Sequence, residues 1–336
     1  MNIVSFILGA AIKPKRQSQR LVAVRGEIES LRAHYNKHIE PLTRKFENRR
    51  VACLKAIRQR IYMSVIIFSV IVLVVYLFDI RQRLDIPWFL YLLPALPLFW
   101  WSSRPVKRYK SDVKEQVFPK IFSYFGDDFI FSPTHSMSLS ELKRSKLLPH
   151  YDGAKFEDYV QGTYKGVEIA INELQLTKEV RRDKRTDTET VFTGVMVQLS
   201  SHKKFNGHTV VVKARGGLIN FLSDSFNSLS RVKLEDPRFE QRFDVFSSDQ
   251  IEARYLLTVS FMERLQELAS SFTGKIQCAF YDDKLLIMLA SRDNRFELGS
   301  IFNGATFEYE FSQINKEMQQ LFAMIEVLKL DEYTGL

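Results

Sequence analysis

The chain has 336 residues, with 48 Lys and Arg against 39 Asp and Glu, and two cysteines. That length allows roughly two folded units, while Cys53 and Cys278, far apart and in no paired spacing, exclude a disulfide framework and a CxxC metal knuckle and suit a reducing cytosol. Residues 1–60 hold 14 Lys/Arg and 4 Asp/Glu, residues 61–110 hold 6 and 2, and residues 111–336 hold 28 and 33, so the basic excess is confined to the first third and the net negative remainder argues against nucleic acid.

Met1–Ala10 is apolar but lacks a basic stretch ahead of it, so it reads as a membrane-surface helix or a frayed end rather than a cleaved signal. Leu21, Val24, Ile28, Leu31, Tyr35, His38 and Leu42 then alternate spacings of three and four, the stripe of a helical seam. Its partner is either the stripe Val106, Tyr109, Val113, Val117, Ile121 and Tyr124 or a second copy of the chain, which would make the N-terminal helix a homo-oligomer seam. Pro41 and Pro119 are expected to kink these two helices.

Ile61 to Phe78 is a run of 18 residues without a charge. At about 1.5 Å per residue it reaches roughly 27 Å, enough for a hydrocarbon core of about 30 Å. Ile86 to Trp101 is also uncharged but shorter, and carries Pro87, Pro94 and Pro97, with Trp88 at one end and Trp100 and Trp101 at the other, as interfacial aromatics would be placed. Together the runs read as a transmembrane helical hairpin.

Basic residues sit on its outer flanks. Arg49, Arg50, Arg58 and Arg60 precede the first run, and Arg104, Lys107 and Arg108 follow the second; these seven are the membrane-surface set, facing a lipid bilayer. By the positive-inside rule both termini are cytoplasmic. The expected organisation is a basic cytoplasmic helical segment (1–60), a hairpin (61–101), a juxtamembrane helix (102–127) and a cytoplasmic domain (128–336).

From Phe129 the texture changes to strands and turns. Tyr159–Tyr164, a Lys165–Gly166 turn and Val167–Leu176 read as a β-hairpin, Val191–Leu199 and Thr209–Val212 as β-branched strands, and Lys178–Arg185 as a stretch too polar for a core. Ser260–Ser271 reads as a helix with Phe261, Leu265 and Leu268 on one face. Lys275–Tyr281 and Lys284–Ala290 form a strand pair about Asp282–Asp283, and a closing helix spans Phe307–Leu330. Strands and helices in unmixed groups predict an α+β domain with a largely antiparallel sheet.

Several motifs in fixed order carry a resemblance. They are Leu147–Leu148–Pro149 with Tyr151–Asp152, Glu157–Val167, Val191–Gly194, and a long segment from Val232 to Leu265 that includes Phe243–Asp249, Glu252–Thr258 and Phe261–Leu265. With the basic helix and the membrane insert, most of the chain resembles a bacterial membrane-protein family known only as domain of unknown function 3137. The resemblance implies a bacterial inner-membrane protein and supplies no catalytic residues.

Residue by residue these motifs look structural. Phe243–Ser248 alternates as a half-buried strand does, and Asp249 is placed to cap the turn or helix that follows. Arg254 is placed to pair with Asp249 or Glu252, the rival reading being a ligand site at Asp249 and Arg254, since a buried Arg can hold a phosphate or carboxylate with two parallel hydrogen bonds. Gly162, Gly166 and Gly194 read as turn and bulge glycines, with no phosphate-cradling glycine motif in the chain.

His34 and His38 share a helical face but lack the ligands of a metal grip, and His135, His150, His202 and His208 are scattered. Asp127–Asp128 and Asp282–Asp283 are turn neighbours, and Arg181, Arg182, Lys184 and Arg185 are interrupted by acids. The sequence thus implies no catalytic set, metal or cofactor. It predicts a membrane-tethered cytoplasmic binding or scaffold module with a protein partner; the alternatives are a membrane-proximal enzyme without a readable motif and a lipid or small-ligand sensor.

Overall fold

The computed structural model describes residues 28–82, 87–182, 185–214, 228–271, 276–291, 299–328 and 330. The expectations on Met1–Ala10, Leu21 and Val24 lie outside these. The chain divides into two compact units, one of residues up to Ile121 with Leu298–Ser312, the other of Phe122–Glu297 with Gln313–Leu336.

In the first unit, α1 (Ile28–His34) passes through a π-helical segment, Tyr35–Ile39, into α2 (Glu40–Gln82). Proline at 41 cannot donate to the carbonyl four residues back and its ring crowds it, so the wider π turn replaces the expected kink, with the Glu40 amide bonding the Tyr35 carbonyl. The extra residue shifts the buried stripe. Leu31, Tyr35, Ile39 and Phe46 are buried, whereas His38 and Leu42, on the predicted heptad line, are only half-buried.

After Pro87 comes a 3-10 segment, Trp88–Leu92, and then α3 (Ala95–Phe122). The second apolar run is therefore not one helix; Pro94 precedes α3, and Pro97 falls in its first turn, where a missing amide costs no hydrogen bond. Further on, α3 continues through Pro105 and Pro119. Pro105 strands the Trp101 carbonyl, four residues earlier, and Arg60 Nη1 donates to that oxygen at 2.9 Å.

α2 and α3 run antiparallel. Lys45 bonds Gln116, Arg49 pairs with Asp112 at 3.0 Å, Phe46 meets Tyr109 edge-on and Ser64 Oγ lies 3.0 Å from Ser102 Oγ. Val113, Val117 and Ile121 are fully buried. The stripe on α3 is thus covered by α2 within the chain.

The second unit is α+β, as expected. Its strands are β1 (Ile130–Ser132), β2 (Gly153–Tyr164), β3 (Val167–Arg182), β4 (Arg185–Ser200), β5 (Thr209–Lys213), β6 (Ser230–Val232), β7 (Phe243–Ser247), β8 (Ile276–Tyr281) and β9 (Lys284–Ala290). They form one sheet in the order β1-β2-β3-β4-β9-β8-β5-β7-β6, every neighbour antiparallel.

Positive φ at Lys165 (49°) and Gly166 (82°) makes the β2–β3 turn the primed type whose twist matches the strands. Lys178–Arg182 does not leave the sheet: β3 and β4 run on as a polar two-stranded ribbon. With no third strand beside it, the ribbon has no buried face to demand apolar residues.

One face of the sheet buries Leu174, Phe192, Met196, Val210, Leu286 and Met288 against Leu142, Leu147 and Leu148, which come from α4 (Leu139–Arg144) and the loop after it. On the other face Phe280 packs on Phe261 of α7 (Val259–Ser271) with ring centroids 5.6 Å apart. With both faces covered, β8 is buried throughout. β7 is nearly so, rather than half-buried as its alternation predicts.

Candidate functional site

Three places were open to test by geometry: the Asp249 region, the basic membrane-surface set and any cleft that gathers polar groups.

Asp249 is the N-cap of α6 (Gln250–Leu256), its carboxylate accepting from the Ile251 amide at 2.9 Å and the Glu252 amide at 3.0 Å. Ser247 Oγ closes the same corner by donating to the Asp249 carbonyl at 2.8 Å. A second helix, α5 (Pro237–Arg242), is built alike: Asp236 accepts from the Arg238 amide, Pro237 opens the helix, and Glu240 reaches back to the Leu234 amide.

Arg254 is exposed and pairs with neither Asp249 nor Glu252. Glu252 is buried, accepting from the Asn206 amide at 2.8 Å and the Gly207 amide at 2.6 Å, so it ties α6 to the turn before β5. Asp249→Ala should therefore cost about 1 kcal/mol as a lost cap, and Arg254→Ala less than about 0.5 kcal/mol as a surface change. Chemical denaturation of the full chain measures both; a large loss from Arg254→Ala would contradict this assignment.

Of the basic set, Arg50 is a correction. It is 1% exposed, its Nε and Nη2 bonding the Glu47 carboxylate at 2.8 and 2.7 Å and Nη1 donating to the Ile301 carbonyl at 2.9 Å. Glu47 also accepts from the Ala305 amide at 3.0 Å, and Tyr35 Oη donates to the Thr306 carbonyl at 2.7 Å. The pair holds the 299–307 segment against α2, so the guanidinium is spent inside the unit. Arg49 is half-committed to Asp112, Arg104 lies 3.8 Å over the Trp100 ring, and Lys107 and Arg108 are exposed.

His34 and His38 stack with ring centroids 4.6 Å apart, and His34 Nε2 lies 2.8 Å from the Lys120 carbonyl near the end of α3. Burial lowers the His34 pKa, the carbonyl bond opposing it. The remaining histidines do not converge: His135 meets Tyr159 edge-on, His208 contacts the Ser145 carbonyl, and His150 faces solvent near Asp152. Asp282 occupies the β8–β9 turn and pairs with Arg144. Among the described residues no group of three or more His, Cys, Asp or Glu is placed to hold a metal.

A cleft of 470 Å³ in the second unit was not singled out from the sequence. Gln161, Thr163, Glu168, Gln198, Ser200 and Lys284 line it from four strands, brought together by register. Lys284 is paired with Glu141, and the Ser200 hydroxyl accepts from the Glu168 amide at 2.8 Å. The cleft offers hydroxyl, amide and carboxylate groups, with Ser200 directly opposite Lys284 in the β4–β9 register. Its sequence signal is weak: polar residues at alternate positions, as on any solvent-facing strand.

The membrane candidate is stronger. The helix Ile28–Phe78 has a window of mean hydropathy 2.8 with none of it buried. Ile66, Val74 and Leu77 on α2 and Leu96 and Phe99 on the second run are all more than half exposed. Among the described residues one helix is thus long and apolar enough to cross a membrane.

These features define an α+β domain and, among the described residues, one candidate membrane helix. Residues 190–330 match the family described as a protein of unknown function (DUF3137). The match runs from within β4 to α8 (Glu308–Leu328) and takes in the whole Val232–Leu265 segment; the motifs from Leu147 to Val167 lie outside it, so it is narrower than the resemblance over most of the chain. No curated protein matches the chain. Among solved structures, the mycobacterial trehalose monomycolate transport factor A, TtfA, is 13% identical, with a TM-score of 0.32 over 59% of this chain and 88% of that one. A likeness at that score carries no argument about fold or role.

Proposed function

We propose that this protein is a bacterial inner-membrane module in which a two-helix hairpin, residues 61–101, tethers a cytoplasmic α+β domain that binds a partner protein. The observation that carries the reading is the unburied apolar surface shared by α2 and the second run, since soluble proteins rarely leave so large a contiguous apolar patch in water.

The second crossing draws support from its geometry. Its 3-10 segment rises about 2.0 Å per residue, further than an α-helix of equal length. Ser64 and Ser102 touch across the two helices, the kind of small polar contact that joins helices in lipid. The flanking cations set the orientation with both termini inside.

An alkaline wash of the membrane fraction tests the tether: the full chain is expected to stay with the bilayer pellet. Release into the wash would reduce the apolar surface to a peripheral or protein-covered face.

A further inference from the structure

Beside their serine contact α2 and α3 leave a groove of 430 Å³. Its walls are apolar, including Ile61, Val65, Phe68, Leu98 and Phe99. The hydroxyls beside it are already used: Ser102 donates to the Leu98 carbonyl at 2.9 Å, and Ser103 to the Trp100 carbonyl at 2.9 Å. Ser64 Oγ lies 3.0 Å from Ser102 Oγ, so the groove has no unspent hydroxyl proton and its apolar walls fit a hydrocarbon chain.

We propose that this groove holds one acyl chain of an anionic glycerophospholipid, with the phosphate at the end marked by Ile57 and Val106. The inference rests on the tether reading and adds a ligand to it.

Charge decides which lipid. From Val51 to Lys110 the acidic residues are Asp79 and Asp85, at the far connection, while Lys55, Arg58, Arg60, Arg104, Lys107 and Arg108 cluster in sequence at the Ile57–Val106 end. Two of these cations are held on tryptophans, Arg60 at 5.0 Å from the Trp101 ring and Arg104 at 3.8 Å from that of Trp100, where interfacial aromatics meet headgroups. Lys107 and Arg108 are exposed, with no ion pair among the described residues. A zwitterionic lipid would fill the groove but leave this charge unmatched.

The test uses the full chain purified in mild detergent, exchanged into detergent with equal phosphatidylglycerol and phosphatidylcholine, washed, and read by native mass spectrometry. Wild type should retain phosphatidylglycerol preferentially. Arg104→Gln with Lys107→Gln should lower that retention by roughly tenfold, from the contribution of cations near an anionic group. Val65→Phe with Ser103→Leu, which fills the groove from its open side, should abolish it while leaving the chain in the membrane fraction.

Several results would overturn the proposal. Equal retention of both lipids would remove the headgroup claim, undiminished retention in the groove-filling variant would place the lipid elsewhere, and a lipid-free dimer lost in that variant would make a second copy the occupant. If the chain stays in the alkali-washed membrane yet retains no lipid, the tether stands and this inference falls.

Discussion

Glu47→Ala is expected to destabilise the first unit by about 3–5 kcal/mol, because it leaves the Arg50 guanidinium buried without its counter-charge. It also removes the acceptor for the Ala305 amide. The double variant Glu47→Ala with Arg50→Met should lose less than the sum of the single changes, since an apolar side chain of similar volume needs no partner.

The pH dependence has a definite sign. Hydrogen bonds from Arg50, opposed by partial burial and helped by the Ala305 amide, hold the Glu47 carboxyl below its ordinary value. Its contribution is therefore complete above the unfolded carboxylate range and is lost as the pH falls through the lowered folded value. Unfolding of wild type and Glu47→Ala in detergent at neutral and acid pH should show the two converging in acid. A constant gap would mean that the pair is not what stabilises this segment.

Gly194→Ala should be comparably damaging. Gly194 has φ 155°, and a Cβ there would lie 2.1 Å from the Leu289 carbonyl and 2.9 Å from the Ser291 amide, both backbone atoms that cannot swing away. It sits where β9 parts from β4, with the Ser291 amide bonded to the Thr193 carbonyl at 3.0 Å. Strain and overpacking together should cost about 3 kcal/mol or more. Reduced amide-exchange protection in β4 and β9 would show it; unchanged protection and melting would contradict the close approach. Gly166→Ala, at φ 82° in an exposed turn, should be milder.

Local order was legible where the chain supplies its own punctuation. Lys165–Gly166 marked the β2–β3 turn, and the apolar spacing of Phe311, Ile314, Met318, Leu321, Ile325 and Leu328 marked α8; the first five are buried, and the side chain of Leu328 lies outside the described residues. Asp249 was readable as a cap because capping depends on residues two and three positions away.

What the sequence hid depends on distance. Arg50 looked like one more juxtamembrane cation, since its acceptor at Ile301 is 251 positions away. The pairing of β4 with β9, or of β5 between β8 and β7, leaves no signature in either strand alone. The ribbon of β3 and β4 reads only as a stretch too polar for a core, because polar residues on both faces suit any exposed segment. The heptad line failed past Tyr35 because Pro41 imposed a π turn upstream of itself.

In the proposed topology two apolar segments cross the bilayer and leave both ends on one side. Reporters that are active only outside the cytoplasm, one inserted in the 79–85 connection and one fused after Leu336, test it most directly. Two crossings should give activity at the connection and silence after Leu336. Activity after Leu336 would mean a single crossing, with the α+β domain on the far side of the membrane.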